Sequence, residues 1–302
     1  MTDPGQSPQG RRTLQGVRRP FSSTIIFIFT SVSRTMSSYR GRFAPSPTGA
    51  LHAGSLVAAM ASFLDARAHD GVWLVRIEDI DPPRDIPGAG EHIIRTLARL
   101  GLASDEPVLW QHDRHEAYQA ALDRLIAQGR VYGCACSRKE VALRAAELGL
   151  PAGVYPGTCR LGTHGRPAMR FLTTSGTTTF TDRLCGDFTQ DVEHEVGDFV
   201  LKRADGLWAY QLAAIVDDIH QGVTDVVRGA DLLDNTPRQI QLIEALGAQA
   251  PCYMHLPLVL NPEGQKLSKQ QGATPLDEDD PLGELERAWM HLGFDRLGAD
   301  SI

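Results

Sequence analysis

Arg42-Phe43-Ala44-Pro45-Ser46-Pro47-Thr48-Gly49-Ala50-Leu51-His52-Ala53-Gly54-Ser55 is the stretch on which the fold turns. It runs from the end of a short strand predicted over 39–44, through a Pro- and Gly-rich turn, into the start of a helix. Glycines at such a junction let the backbone approach a nucleotide closely, and a helix N-terminus favours phosphate. His52 is placed to donate to a phosphate oxygen as charge develops. Alone, His-Ala-Gly-Ser is a weak signal, and His52 reads equally as a helix-start histidine. The fourteen-residue run set between strand and helix is far more specific.

Downstream, Leu56, Ala59, Met60, Phe63 and Leu64 recur at helical spacing, and Gly71 closes that helix. Val72-Trp73-Leu74-Val75-Arg76-Ile77 then reads as a buried parallel strand ending in the acidic cluster Glu78-Asp79-Ile80-Asp81. A helix at about 90–100 continues the alternation expected of a parallel α/β sheet, with ligands at the carboxyl ends of its strands. From about His115 the pattern changes. One helix ends at Gly129, a cysteine-bearing, Gly- and Pro-rich stretch runs to about Gly165, and strands are expected over 177–181 and near Phe199. Alternation returns with a helix over 210–218, a strand over 223–227, a helix over 237–246 and a strand over 255–260.

A second motif, Lys266-Leu267-Ser268-Lys269-Gln270, follows the last of these strands. Two flexible ammonium groups beside a triphosphate would stabilise the pentacoordinate α-phosphate as pyrophosphate leaves. As an isolated pentapeptide it reads as a solvated loop. Paired with the first motif, in this order, it reads as catalytic.

Among 302 residues, 42% are hydrophobic, which supports a sizeable core and excludes a disordered chain. A net charge of -7 excludes a uniformly basic nucleic-acid coat but not a local basic face. The cysteines at 134, 136, 159, 185 and 252 form an odd set, and a Cys-x-Cys pair in an α/β enzyme reads as metal before disulfide. Cys134, Cys136 and Cys159 are therefore candidate Zn²⁺ ligands, against a reading as three unrelated thiols. Four-coordinate zinc needs one more, for which His164 is the generic choice. Arg11, Arg12, Arg18 and Arg19 precede an apolar run at 21–32, shorter than the roughly 20 residues that span a bilayer. The run resembles a signal peptide without a clear small-x-small cleavage site, and its Arg and Ser content fits mitochondrial targeting more weakly. The expectation set above both is a non-native or disordered extension over 1–38, with Met36 as an alternative start, and a cytoplasmic protein without a membrane.

The two motifs resemble the HIGH and KMSKS signatures of class I aminoacyl-tRNA synthetases. The surrounding wording resembles the glutamyl branch: Val75 to Asp81, Tyr210-Gln211-Leu212-Ala213, Val216-Asp217-Asp218, Val227 to Leu233, Asn235 to Gln239 and His255-Leu256-Pro257-Leu258. The resemblance covers about 39–270 and is strongest to the glutamyl-Q tRNA(Asp) synthetases, short paralogues that end soon after a Lys-Leu-Ser-Lys-Gln loop. Ser55 replaces the final His of HIGH and Gln270 the final Ser of KMSKS. Both agree with the short paralogues, and His52 and Lys269 are retained.

This resemblance implies a doubly wound, Rossmann-type α/β fold interrupted by a zinc-binding subdomain. It divides the chain into catalytic halves at 39–114 and 206–272, an acceptor-like insertion at 115–205, and a short helical segment at 273–302 with no anticodon-binding domain. It implies ATP-dependent activation of L-glutamate, with His52 and Lys269 catalytic and His52, Gly54, Ser55, Lys266, Ser268 and Lys269 on ATP and its Mg²⁺. A substrate with two carboxylates and one ammonium wants two cationic forks and one buried anion. Arg42, Arg228 and Tyr210 would hold the side-chain carboxylate, Ser46 and the Ala44 backbone would orient the substrate, and Glu78 would take the ammonium. Asp217 and Asp218 are read as capping or orienting their helix. The resemblance favours Tyr155 over His164 as fourth ligand of one Zn²⁺ per chain. It also implies queuosine-containing tRNA(Asp) as acceptor. The alternatives are a truncated glutamyl enzyme charging tRNA(Glu), a small-molecule adenylating enzyme of the same superfold, and a non-catalytic zinc-dependent RNA-binding module.

Overall fold

The computed structural model describes residues 38–162, 167–260 and 274–298. β1 (Arg40–Phe43) and β2 (Val72–Ile77) run parallel, Arg40 opposite Val72 and Phe43 opposite Val75, and β3 (Leu109–Trp110) adds in parallel beyond β2. The crossover is α1 (Ala53–Ala68), which buries Leu56, Val57, Ala59 and Met60, and α2 (Ala89–Arg99) returns with Ile93 and Leu97 inward. On the other edge of β1, Thr224 N–H donates to Arg40 O at 3.0 Å and Arg40 N–H to Thr224 Oγ1 at 2.9 Å. These bonds seat β9 (Asp225–Gly229) beside β1, and β10 (Cys252–Leu256) runs parallel to β9. β6 (Thr177–Asp182) meets β10 in parallel at Asp182 and Tyr253, and β7 (Gly186–Asp191) pairs antiparallel with β6. The winding therefore reverses between β1 and β9, the mark of a doubly wound sheet, and ligands in such sheets bind at that reversal.

The stretch between the sheet halves contributes in two ways. β4 (Val131–Cys134), β5 (Ala168–Phe171) and β8 (Phe199–Lys202) form a separate antiparallel sheet, while β6 leaves it for the parallel one. α3 (His115–Ala127), α6 (Tyr210–His220) and α7 (Thr236–Ala245) share a core with that smaller sheet, through Leu122, Leu125, Phe171, Leu201, Leu212 and Leu242. α4 (Arg138–Glu147) starts on a capping box between Ser137 and Glu140, and α8 (Pro281–His291) closes over α1 through Ala288. A further helix, α5 (Val192–Glu195), is one turn.

Two strand expectations move. The strand expected at 255–260 lies at Cys252–Leu256, because Pro257 has no N–H to give the ladder. The strand expected at 223–227 lies at Asp225–Gly229, because Val223 N–H is taken by Asp218 O at the end of α6. Among the described residues no helix is long and apolar enough to cross a membrane.

Candidate active site

The carboxyl end of β1 leads into residues 44–52, a loop fixed by its prolines. Buried Pro45 and Pro47 have no N–H to satisfy, and their carbonyls accept from Glu78 N–H at 3.0 Å and Ile86 N–H at 2.9 Å. Ala44 is half-buried, and Ser46 is exposed with its carbonyl accepting from Thr48 N–H. Gly49 takes a φ of 138°, a conformation that favours glycine.

His52 is the N-cap of α1. Its Nδ1 accepts from Ser55 N–H at 3.3 Å, which places the proton of the neutral ring on Nε2. α1 has no acidic residue in its first turn, so the positive end of its dipole stays available to phosphate. A cavity of about 180 Å³ opens there between His52, Gly54 and Ser55 on one side and Gly229 and Leu256 to Val259 on the other. Lys266, Ser268 and Lys269 lie outside the described residues. Nearest them in sequence, Val259 lines the cavity and Pro275 forms a β-bridge with His52.

Deeper in the reversal sits a set of buried charges. Arg42 on β1 donates from Nε to Asp218 Oδ1 at 3.0 Å and from Nη2 to Oδ2 at 3.4 Å. Arg76 on β2 is fully buried and donates to Asp218 at 2.8 Å, to Gln221 Oε1 at 2.9 Å and to Glu78 at 3.3 Å. Buried charge persists only when paired, and here two guanidinium groups share two carboxylates. Burial pushes the Asp218 carboxyl up, yet Arg42 and Arg76 outweigh it and hold it below the usual range. Glu78 goes the other way: burial raises its pKa, and Arg76 and Arg42 oppose that only in part. Asp217 instead accepts from Gln111, Arg114 and the Tyr118 hydroxyl. Neither aspartate caps α6, whose ends are Ala209 and Gln221. Their carboxylates tie the helix to its surroundings, Asp218 to β1 and β2.

Arg228 on β9 is 6% exposed. Its Nε donates to His255 Nε2 at 3.0 Å, and its Nη2 donates to Thr236 Oγ1 at 2.8 Å and Leu232 O at 3.4 Å. Tyr210, the first residue of α6, is half-buried. Tyr253 on β10 lies under Arg228, its ring 5.6 Å from the guanidinium, and its buried hydroxyl has no hydrogen-bond partner among the described residues. Burial raises its pKa, with Arg228, Asp218, Arg42 and Tyr210 all close enough to act on it. Tyr253 and Asp182 are site residues that sequence reading missed, while Asp218, read there as capping or orienting its helix, does the second through Arg42 and Arg76. A tyrosine in a strand and an aspartate at a strand end carry no local signal of function.

The cysteines converge as expected. The sulfurs of Cys134, Cys136 and Cys159 all lie within 4.8 Å of one another. The Tyr155 hydroxyl is 3.2 Å from the Cys134 sulfur and accepts from Cys159 N–H at 2.9 Å. Burial pushes the Cys159 thiol up, but the Ala135 N–H and the Cys136, Tyr155 and Cys134 donors outweigh it and hold the thiol at about 7. Burial pushes the Tyr155 phenol up, so a cation would have to displace its proton. His164 lies outside the described residues. Gly197, at φ 73°, passes so close that a Cβ would stand 2.4 Å from Tyr155 O. Arg170 stacks on the Tyr155 ring at 3.8 Å and bonds Asp198 O, and Arg160 grips the Asp198 carboxylate, binding the cluster to β5 and the start of β8.

The catalytic-domain model of the class I tRNA synthetases (E and Q) matches residues 38–156 and 157–298. A glutamyl-Q tRNA(Asp) synthetase of Burkholderia cenocepacia is 58% identical over 263 residues, covering 85% of this chain and 88% of that protein. One of Dechloromonas aromatica is 57% identical over 261 residues, covering 85% and 87%. A glutamate tRNA ligase of Elizabethkingia meningosepticum, solved in complex with its amino acid, superposes with a TM-score of 0.69 at 29% identity over 78% of this chain. The chain spans about half the length of that ligase, 53%.

Proposed function

The chain belongs to the class I tRNA synthetases of the E and Q type, and on that premise we propose that it activates L-glutamate with ATP and passes the glutamyl group to the queuosine base of tRNA(Asp). The α-carboxylate of glutamate attacks the α-phosphate, pyrophosphate leaves, and a hydroxyl of the queuosine cyclopentene diol then takes the glutamyl group from the adenylate, releasing AMP. No covalent enzyme intermediate is needed, since positioning and electrostatics carry the reaction. Mg²⁺ bound with ATP would offset phosphate charge.

The observation that carries the choice of substrate is the charge pattern at the sheet reversal. Arg42 and Arg228 sit on neighbouring parallel strands, with the carboxylate of Glu78 at the end of the third. With the charges of Arg76 and Asp218 offsetting each other, two cationic forks and one buried anion remain, which suits an amino acid with a carboxylate side chain. In this reading Arg42, Arg228 and Tyr210 take the side-chain carboxylate, Ser46 and the Ala44 backbone orient the substrate, and Glu78 takes the ammonium. An amide would present donors to Arg228, which disfavours glutamine. The same reading assigns His52, Gly54, Ser55, Lys266, Ser268 and Lys269 to ATP. Residues 39–114 and 206–272 build the nucleotide site and 115–205 faces the RNA. Supplies of ATP and tRNA place the reaction in the cytoplasm.

The cysteine cluster supports a structural zinc. Three convergent thiols and a phenol at hydrogen-bond distance suit tetrahedral Zn²⁺, which would take Cys134, Cys136, Cys159 and Tyr155 and clip a segment poor in apolar packing.

The deciding experiment offers radiolabelled glutamate with queuosine-containing tRNA(Asp), the same tRNA from a queuosine-deficient strain, and tRNA(Glu). Label on the first alone is expected. Equal labelling of both tRNA(Asp) samples, or preference for tRNA(Glu), would overturn the acceptor.

A further inference from the structure

Asp182, His255 and Arg228 form a buried line to which the chemistry above gives no role beyond its last member. They lie on β6, β10 and β9, three neighbouring strands, and their exposures are 2%, 0% and 6%. Asp182 Oδ1 accepts from Leu184 N–H at 2.9 Å and Cys185 N–H at 2.8 Å. Its Oδ2 accepts from His255 N–H at 3.1 Å and faces His255 Nδ1 at 2.6 Å. The opposite ring nitrogen, Nε2, is 3.0 Å from Arg228 Nε and 3.2 Å from Thr236 Oγ1.

The proton assignment follows from valence. A guanidinium Nε carries a hydrogen and cannot accept, so His255 Nε2 must accept from it and Nδ1 must carry the ring proton toward Asp182. Burial holds the His255 pKa below its ordinary value, against the opposing pull of Asp182, which keeps the ring neutral beside Arg228. Arg228 Nη2 is held by Thr236 and Leu232, which leaves Nη1 without a hydrogen-bond partner among the described residues.

We infer that Asp182 fixes the tautomer of His255 so that the imidazole accepts from Arg228, making both of them positioning residues for the guanidinium that receives the side-chain carboxylate of glutamate. The inference rests on the proposed role of Arg228. With Nε and Nη2 fixed by three acceptors, the guanidinium plane cannot turn about its stem, and the Nη1 edge is presented ready-made. Preorganisation of this kind appears in substrate affinity, because the free enzyme has nothing left to order.

Asp182→Asn tests the tautomer directly. Leu184 N–H, Cys185 N–H and, at 3.3 Å, His255 N–H all reach Oδ1, so the new carboxamide keeps its oxygen there and its NH₂ faces His255 Nδ1. The ring proton is then driven to Nε2, where it points at Arg228 as a second donor. Glutamate-dependent ATP–pyrophosphate exchange should show a KM for glutamate raised about tenfold or more, the scale of losing one hydrogen bond to a charged group. The KM for ATP should stay at the wild-type value, while the melting temperature falls, since the buried charge of Asp182 and its bond from His255 N–H are lost with the substitution. His255→Gln, whose oxygen can reach the place of Nε2, should retain more glutamate affinity than His255→Leu. Arg228→Ala is measured alongside. If Arg228→Ala raises the KM for glutamate but Asp182→Asn and His255→Leu do not, or lower only kcat and melting temperature, the positioning role is overturned while the carboxylate role of Arg228 stands. If Arg228→Ala leaves that KM unchanged, both fall.

Discussion

Arg42 and Asp218, 176 positions apart, meet as a two-pronged ion pair in the sheet reversal, with Nε to Oδ1 at 3.0 Å and Nη2 to Oδ2 at 3.4 Å. The pair joins the first strand of the chain's first half to a helix of its second, and Arg76 shares the same carboxylate. Removing one partner of a buried pair strands the others. Asp218→Ala should therefore destabilise the fold by about 3–5 kcal/mol, measured by urea unfolding at pH 7. Because Asp218 is held below the usual carboxylate range, its contribution is present above the unfolded-state pKa and disappears as pH falls through the folded-state value. Wild-type and variant stabilities should converge only in acid. A difference that persists unchanged there would show that the cost is packing, not charge.

Glu78 should behave in the opposite sense. Its pKa is raised by burial, so it contributes stability below the unfolded-state value and loses it as pH rises through the folded-state value. Arg76 keeps Asp218 at 2.8 Å as a closer partner than Glu78 at 3.3 Å, so Glu78→Gln leaves that guanidinium satisfied. The variant should be at least as stable as wild type at pH 8, while its KM for glutamate rises about tenfold or more through loss of the ammonium's acceptor. Wild-type KM should fall as pH rises through the Glu78 pKa, and the variant should lose that slope. Equal glutamate KM values in the two proteins would remove Glu78 from the substrate site.

Zinc content gives an independent handle on the cysteine cluster. Purified protein should carry about one zinc per chain, the stoichiometry of a single four-ligand site, by elemental analysis. Cys159→Ser should lose it. Tyr155→Phe and His164→Ala separate the two candidates for the fourth ligand, and a chelator should strip zinc faster from the Tyr155 variant only. Gly197→Ala should loosen the site without touching a ligand, since its Cβ would stand 2.4 Å from Tyr155 O. Full zinc retention in Cys159→Ser would dismiss the ligand set.

Legibility followed burial. β2 was readable because both faces of Val72–Ile77 are covered, so every residue but Arg76 is apolar. β4 and β5 were not, because four-residue strands with half-exposed faces and a stacked Arg170 leave no alternation to see. At the site, Arg42, His52, Glu78 and Arg228 stood inside recognisable motifs. His255 was quoted in one without a role, and Asp182 stood in none. The meaning of Asp182 lies in a contact 73 positions away, and that of Asp218 in one 176 positions away. Sequence shows residue types at strand and helix ends, but only the closed sheet shows which of them meet.

His52 allows its two possible duties to be separated. Its Nδ1 caps α1 through Ser55 N–H, and its Nε2 proton is the group assigned to phosphate. His52→Asn keeps a cap, because asparagine is among the best N-cap residues, but removes the ring donor. His52→Ala removes both. Each should lower glutamyl-adenylate formation by roughly two orders of magnitude, the range for losing one preorganised donor to a developing charge. Only the alanine variant should also lose stability, by about 1 kcal/mol. Lys269→Ala should match the loss of activity, since its ammonium is the other donor assigned to the developing phosphate charge. Pyrophosphate exchange and urea unfolding on the three proteins decide the matter. Should His52→Asn exchange at the wild-type rate, the imidazole is a helix cap and nothing more, and the charge on the α-phosphate must be met by the lysines and Mg²⁺ alone.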